Sequence, residues 1–276
     1  MKSPFNFFKH AQVYSLRTIA PVWGNVLELH DLLKVYPFTP CGDHDFARTG
    51  WLMQTTEDGE IPDILHRATD VLLTVVKEVR QIPATVLKDK QQEAYKDFET
   101  RQGRWPKKTE RDALRDEIFQ KLIPRAFTKR HHTQIWVDLV NELVVVDAAS
   151  AKVAEDALAM LRKTLGSLPV VPVCAAEPIE LTLTDWIKAG EIPAGFELSE
   201  KHNEAQFKGI LEGSGGVSYR KAEIFSDATN CLLDDGKLVT SLGLSWQSRI
   251  NFVLDNNGQF KKLAYHDELT LSLIHI

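Results

Sequence analysis

The run Asp70-Val-Leu-Leu-Thr-Val-Val-Lys-Glu-Val79 constrains this chain more than any other segment. It is rich in β-branched residues, far too short to span a membrane, and reads as a strand. The next forty residues have the opposite character. Residues 84–101 and 109–123 carry helical patterns, and Gly103 and Pro106 break the chain between them. A strand that hands over to two polar helices predicts a helical hairpin set among strands. Thr109 with Asp112 is the expected N-cap pair of the second helix, which Pro124 ends.

The rest of the chain supports an α+β class of antiparallel sheets with flanking helices. Strands are expected at Gln12–Leu16, Thr49–Met53, Leu168–Val173 (an edge, bracketed by prolines), Val217–Ile224, Lys237–Trp246, Arg249–Leu254 and Phe260–Tyr265. Thr133–Leu139 and Glu142–Asp147 predict a β-hairpin. Helices are expected at Val26–Leu33, from Ser150 to Gly166, and from a Thr184 cap through Trp186 to Gly190.

Charge is segregated along the chain. Residues 101–132 hold ten Lys/Arg and four Asp/Glu; the whole chain holds 33 and 38, leaving 23 and 34 elsewhere. One stretch is thus near +6 and the remainder near −11, although the net charge is −5. A basic surface on an acidic protein is the footprint of a polyanion partner, and a solvated helix face meets the same count. Lys107, Lys108 and Arg111 are the candidate phosphate contacts of this stretch, and Lys152, Arg162 and Lys163 are equally credible. Binding through such residues predicts phosphate contact without base readout.

Other chemistries find little support. Cys41, Cys174 and Cys231 lie far apart without CxxC spacing, which fits a reducing cytoplasm. The start shows neither a signal peptide nor a membrane anchor. His131 and His132 are adjacent, so on a strand they face opposite ways and suit one metal ion poorly. Asp138 and Asp147, or Asp63 with Lys88-Asp89-Lys90, distantly suggest nuclease carboxylates, but Lys88–Lys90 falls in a helix where such a motif needs a strand. The loop Gly213–Gly216 lacks the Lys and Ser/Thr of a phosphate loop and reads as a turn. The six tryptophans are spread evenly and read as core rather than as a base-stacking platform. No enzyme signal, metal or cofactor is expected.

Several stretches together carry a resemblance. They are Phe38-Thr-Pro-Cys-Gly42 with Gly50-Trp51, Leu122-Ile-Pro-Arg-Ala-Phe127, Ala149-Ser-Ala-Lys152, Leu165-Gly-Ser-Leu-Pro-Val-Val-Pro172, Pro178-Ile-Glu-Leu-Thr-Leu-Thr184 with Trp186, and Trp246-Gln247 with Arg249-Ile250. In this order, over roughly residues 5–268, they resemble the bacterial recombination-associated RdgC family. The resemblance implies a curved protein that forms a ring-shaped homodimer around double-stranded DNA, with a basic inner surface and little sequence preference. It also implies nucleoid association, restraint of RecA-driven recombination and replication-fork repair, and no known catalysis or cofactor. The aromatic of Pro-Arg-Ala-Phe closes the ring in that family; here it is Phe127, flanked by Arg125 and Lys129. A second part of that contact matches Tyr219–Ile224, where Arg220 and Lys221 are followed by Ala222 and Glu223 rather than by further basic or amide residues.

By sequence the chain divides into an N-terminal α+β region (1–83), a projecting helical hairpin with an interface segment (84–131), and a second α+β region (132–269). Residues 270–276 end in Leu271-Ser-Leu-Ile-His-Ile276, which matches an in-frame library adapter and is expected to be non-native. The family carries a further helical C-terminal region, so weaker dimerisation than in a full-length relative is expected. Two functional readings remain: a non-sequence-specific DNA-binding ring, and a protein-interaction scaffold that inhibits the recombinase directly.

Overall fold

A computed structural model of the chain describes residues 8–56, 59–209 and 215–272. In chain order it holds β1 (Gln12–Leu16), α1 (Val26–Lys34), β2 (Ala47–Trp51), β3 (Met53–Thr56), β4 (Gly59–Pro62), β5 (Ile64–His66) and β6 (Asp70–Gln81). Two long helices come next, α2 (Ala84–Gln102) and α3 (Lys108–Leu122), then β7 (Phe127–Asp138), β8 (Leu143–Val146), α4 (Ala151–Leu165) and β9 (Val170–Pro172). The chain continues with α5 (Ile179–Ala189), β10 (Phe196–Leu198), β11 (Glu204–Gly209), β12 (Gly216–Arg220), α6 (Asp227–Asp234), β13 (Lys237–Trp246), β14 (Ile250–Asp255), β15 (Phe260–Tyr265) and α7 (Asp267–Ser272). The class is mixed α+β with antiparallel sheets, as the sequence predicts.

Contacts divide the chain into two compact units, neither contiguous in sequence. One comprises Met1–Gly24, His66–Leu72 and Thr133–Ile276. In it β1 lies between β8 and the edge strand β9, and β8 pairs with the end of β7 from Ile135↔Val146 to Asp138↔Leu143. Alternate residues of β1 are buried, so one face of the strand enters the core (Tyr14, Leu16). α4 contributes Ala154, Ala157, Leu158 and Leu161 on one apolar stripe. A second sheet runs in the order β12-β11-β13-β14-β15, with β10 also pairing β13. The apolar residues Leu183, Ile187, Ala205, Phe207, Val239, Leu242, Leu244 and Phe252 form one core cluster between this sheet and α5.

Two local expectations change in this unit. Thr184 does not cap a helix: α5 already begins at Ile179, after Pro178, and Thr184 is buried inside it. Its hydroxyl donates to the Glu180 carbonyl and accepts the Val239 N–H at 2.9 Å, tying α5 to β13. The strand expected at Val217–Ile224 stops at Arg220, because Lys221 takes a left-handed φ of 53° and turns the chain. Residues Gly213 and Ser214 of the predicted turn lie outside the described residues, as do 273–276 of the predicted tail.

The other unit comprises Asn25–Leu65 and Leu73–His132. Asn25 caps α1 by accepting the Glu28 N–H. β2 pairs antiparallel with β6 from Ala47↔Val79 to Trp51↔Val75. Gly50 is required there: a Cβ would stand 2.5 Å from the Phe38 Cα, where Phe38 and Trp51 share a backbone hydrogen bond. Leu29, Leu33, Trp51, Leu73, Val75, Val76 and Ile123 are buried. The described part of this unit also carries the helical pair, in which neither α2 nor α3 has a buried residue.

Candidate nucleic-acid interface

The helical pair forms because its link is held by polar chemistry. Gly103 ends α2 in the left-handed region (φ 66°), and its N–H reaches the Glu99 carbonyl at 2.8 Å. Arg104 then donates both arms of its guanidinium to Glu110, at 2.7 and 2.8 Å. The same carboxylate accepts the Lys107 N–H at 2.7 Å, satisfying the first turn of α3. The Arg104 hydrogen bond, helped by that N–H, pulls the Glu110 carboxyl down to about 2. The cap therefore sits at Lys107 with Glu110, not at Thr109 with Asp112: the bidentate Arg104 partner makes Glu110 the better acceptor. Tyr95 packs its ring against Trp105 edge-on, with centroids 5.8 Å apart, and Arg104 lies 5.3 Å over the Phe98 ring.

Two grooves flank the helix pair, and their charges differ. One, of about 340 Å³, takes Lys108, Arg111 and Arg115 from α3 and only Asp112 as an anion. Spacing of three, then four residues puts the cations on one helix face over about 10 Å. The other groove, of about 450 Å³, balances Arg101 and Lys121 against Asp97 and Glu117, with Lys121 bonded to Glu117 at 2.5 Å. The mixed sign of the stretch thus resolves into one cationic and one neutralised face. Lys107 is exposed at the cap position beside the first groove. Arg115, absent from the sequence candidates, completes the stripe; the 108–111–115 spacing is its signal.

At the base of the hairpin the chain turns through Ile123–Arg125 into β7. The strand expected from Thr133 begins already at Phe127, because pairing of β7 with β6 rather than apolar alternation makes it extended. Phe127 is 87% exposed, so it does not pack beneath the hairpin. Phe127 and Lys129 are two apart and share a strand face; both are exposed, as is Arg125. Two charged residues on one face of β6 hold this turn. Buried Arg80 donates to the carbonyls of Asp45 (3.2 Å), Ala126 (3.0 Å), Pro124 (3.5 Å) and Gly42 (2.9 Å). Buried Glu78 accepts Arg130 at 2.5 Å and the Cys41 N–H at 2.8 Å, and these bonds hold its carboxyl below the ordinary range. Burial, with Glu78 nearby, pushes the Cys41 thiol up, so this cysteine is a weak nucleophile. A carbonyl-binding Arg has no periodic signature, and sequence reasoning missed Arg80 and Glu78.

The remaining candidates belong to the other unit. Lys152 and Lys163 are eleven residues apart on α4 and so share a face, while Arg162 and Lys163 are exposed in its last turn. Arg220 ends β12 opposite Glu204, and Lys221 comes next in the turn; both are exposed. Two of the suggested nuclease carboxylates, Asp138 and Asp147, have structural work instead. Asp138 accepts the N–H groups of Val140 and Asn141 and the Asn141 side chain, which lowers its pKa and closes the β7–β8 turn. Asp147 accepts the His10 N–H at 2.8 Å. Among the described residues no three His, Cys, Asp or Glu side chains gather as a metal ligand set, and no helix is long and apolar enough to cross a membrane.

Fold and surface together define a mixed α+β protein of antiparallel sheets that presents a cationic groove on an exposed helical hairpin. Residues 6–273 match the family described as "Putative exonuclease, RdgC". The chain is 43% identical over 264 residues to the recombination-associated protein RdgC of Serratia proteamaculans, covering 95% of this chain and 85% of the relative. Proteins of the same name from Yersinia enterocolitica (42%) and Yersinia pestis strain Pestoides F (43%) align over 265 residues with the same coverage. The chain belongs to the RdgC family.

Proposed function

We propose that this protein binds double-stranded DNA through its phosphates, without sequence preference, as a ring-shaped homodimer that encircles the duplex and moderates RecA-dependent recombination at the nucleoid. The observation that carries the reading is the cationic groove, where Lys108, Arg111 and Arg115 line one side of the hairpin with Asp112 as the sole opposing charge in the groove. Three aligned cations suit a phosphate backbone and carry no base information. Encirclement reconciles this with a net charge of −5, since only the surface facing DNA need be positive. Exposed Phe127, with Arg125 and Lys129 beside it, suits an anchor between subunits, because a nearly bare aromatic on a rigid strand gains most by burial against a partner. Lys152, Arg162, Lys163, Arg220 and Lys221 are secondary candidates for the DNA and subunit surfaces. Relatives named for recombination support the biological setting. The reading is of a binding protein without catalysis, although the family's description names an exonuclease. Gel shifts of closed circular and linear duplex across a salt series, with divalent metal present, test it. A ring predicts salt-steep binding of both, slower loss from the circle and no shortening of the linear DNA. Metal-dependent shortening, or salt-insensitive binding, would contradict it.

A further inference from the structure

A charged side chain buried on a strand needs a reason, because it gives up its water. Glu78 is 2% exposed, and its carboxylate binds two parts of the chain at once. It accepts Arg130 of β7 at 2.5 Å and the Cys41 N–H at 2.8 Å. Phe38, at the start of the same Phe38-Thr-Pro-Cys-Gly42 stretch, lies with its ring 5.2 Å from the Arg130 guanidinium. The close approach that Gly50 permits fixes the Phe38 backbone. A sequence stretch with no DNA contact of its own thus builds the seat of Arg130.

The consequence falls on Phe127. Successive side chains of a strand face opposite ways, so Arg130 and Phe127, three residues apart, lie on opposite faces of β7. Drawing Arg130 inward to Glu78 turns Phe127 outward, where it is 87% exposed. A slip of one residue would reverse every side chain of the segment and point the ring inward. Apolar alternation cannot prevent that slip, since residues 128–132 are Thr, Lys, Arg, His and His. The buried ion pair supplies the register that the pattern lacks, a use to which buried polar groups are well suited. Arg80 steadies the other side, donating to the carbonyls of Pro124 and Ala126 just before Phe127.

We propose that Glu78, acting through Arg130, is a positioning residue for the contact between subunits: it sets the register of β7 so that Phe127 is presented, already ordered, to a second copy of the chain. This rests on the reading of Phe127 as an anchor between subunits and adds the residue that orients the anchor. A side chain ordered before contact loses less freedom on binding.

Sedimentation equilibrium of the full chain gives the dimer dissociation constant for wild type, Phe127→Leu, Glu78→Gln and the double variant, each checked by circular dichroism for an unchanged fold. Gln keeps the size of Glu78 and an oxygen for the Cys41 N–H, but loses the charge that draws Arg130 in. Each single variant is expected to weaken the dimer by about fivefold or more. The double variant should be weaker than the poorer single one by less than about twofold, because Glu78 acts through Phe127. Arg130→Gln, at a side chain 52% exposed, should repeat the Glu78→Gln result and takes its place in the comparison if Glu78→Gln does not fold. Arg130→Lys should recover part of the loss. A double loss equal to the product of the single ones, or no loss with either Glu78→Gln or Arg130→Gln, overturns the inference and leaves the anchor standing. A wild-type chain that stays monomeric, or a dimer indifferent to Phe127→Leu, overturns the subunit reading instead.

Discussion

The helical hairpin and the β11–β13–β14 sheet make opposite use of their residues. The sheet, with α5 and α6, buries Leu183, Ile187, Phe207, Leu233, Val239, Leu242 and Phe252 in one apolar cluster. The hairpin buries no residue of either helix and depends on Gly103, the Arg104–Glu110 fork and one backbone cap. An isolated helix gains little from propensity alone and usually owes its stability to an apolar face. A helix pair without a buried residue therefore keeps its side chains available to a partner. The sheet buries its apolar side chains, and the hairpin displays its charged ones.

That contrast is open to attack at several strengths. Phe207→Ala in β11, where the ring is 1% exposed, should cost about 3–5 kcal/mol in urea unfolding and leave the helicity of the folded hairpin unchanged. A cost below about 1 kcal/mol would show that the cluster is not a tight core. Arg80→Met should cost about 3 kcal/mol, because it strips donors from the carbonyls of Gly42, Asp45 and Ala126. Its effect is expected in the unit that carries the hairpin, and hydrogen exchange localised to Ala126–Arg130 would register it. The smallest effect is electrostatic. The Glu110 carboxyl ordinarily titrates near 4.5 and here lies at about 2, so it stabilises the hairpin above its ordinary value and the contribution fades as pH falls toward 2. Far-ultraviolet ellipticity measured from pH 5 to pH 2 should thus fall less steeply in Glu110→Gln than in wild type. Identical curves would show that the fork does not hold the link.

How much of this was legible in the sequence differs between the same two regions. The hairpin is legible because Gly103 and Pro106 punctuate two helical patterns, and the extents of α2 and α3 agree with them. The strands from Lys237 onward are legible because turns separate them cleanly. Thr184 misleads, since the alternation of Ile179-Glu-Leu-Thr-Leu hides a helix whose start is set by Pro178 and whose burial is tertiary. Phe127–His132 misleads in the other direction: only Phe127 in it is apolar, so nothing in its pattern announces a strand. Trp105 defeats the reading of tryptophans as core because exposure is decided by where the link lies, which composition does not encode. The basic stretch at 101–132 gives only a charge count, and the grooves show how it divides: Arg101 and Lys121 lie with Asp97 and Glu117, while Lys108, Arg111 and Arg115 lie with Asp112 alone.

The central claim is that these three cations meet phosphates. The most direct measurement is the slope of log K against log salt for one duplex, taken for wild type and for the variant with Lys108, Arg111 and Arg115 all changed to Gln. Each phosphate contact contributes about 0.9 to that slope, so the account predicts that the variant's slope is shallower by about 2–3. A variant that binds with the wild-type slope would place the DNA elsewhere on the molecule and contradict the account.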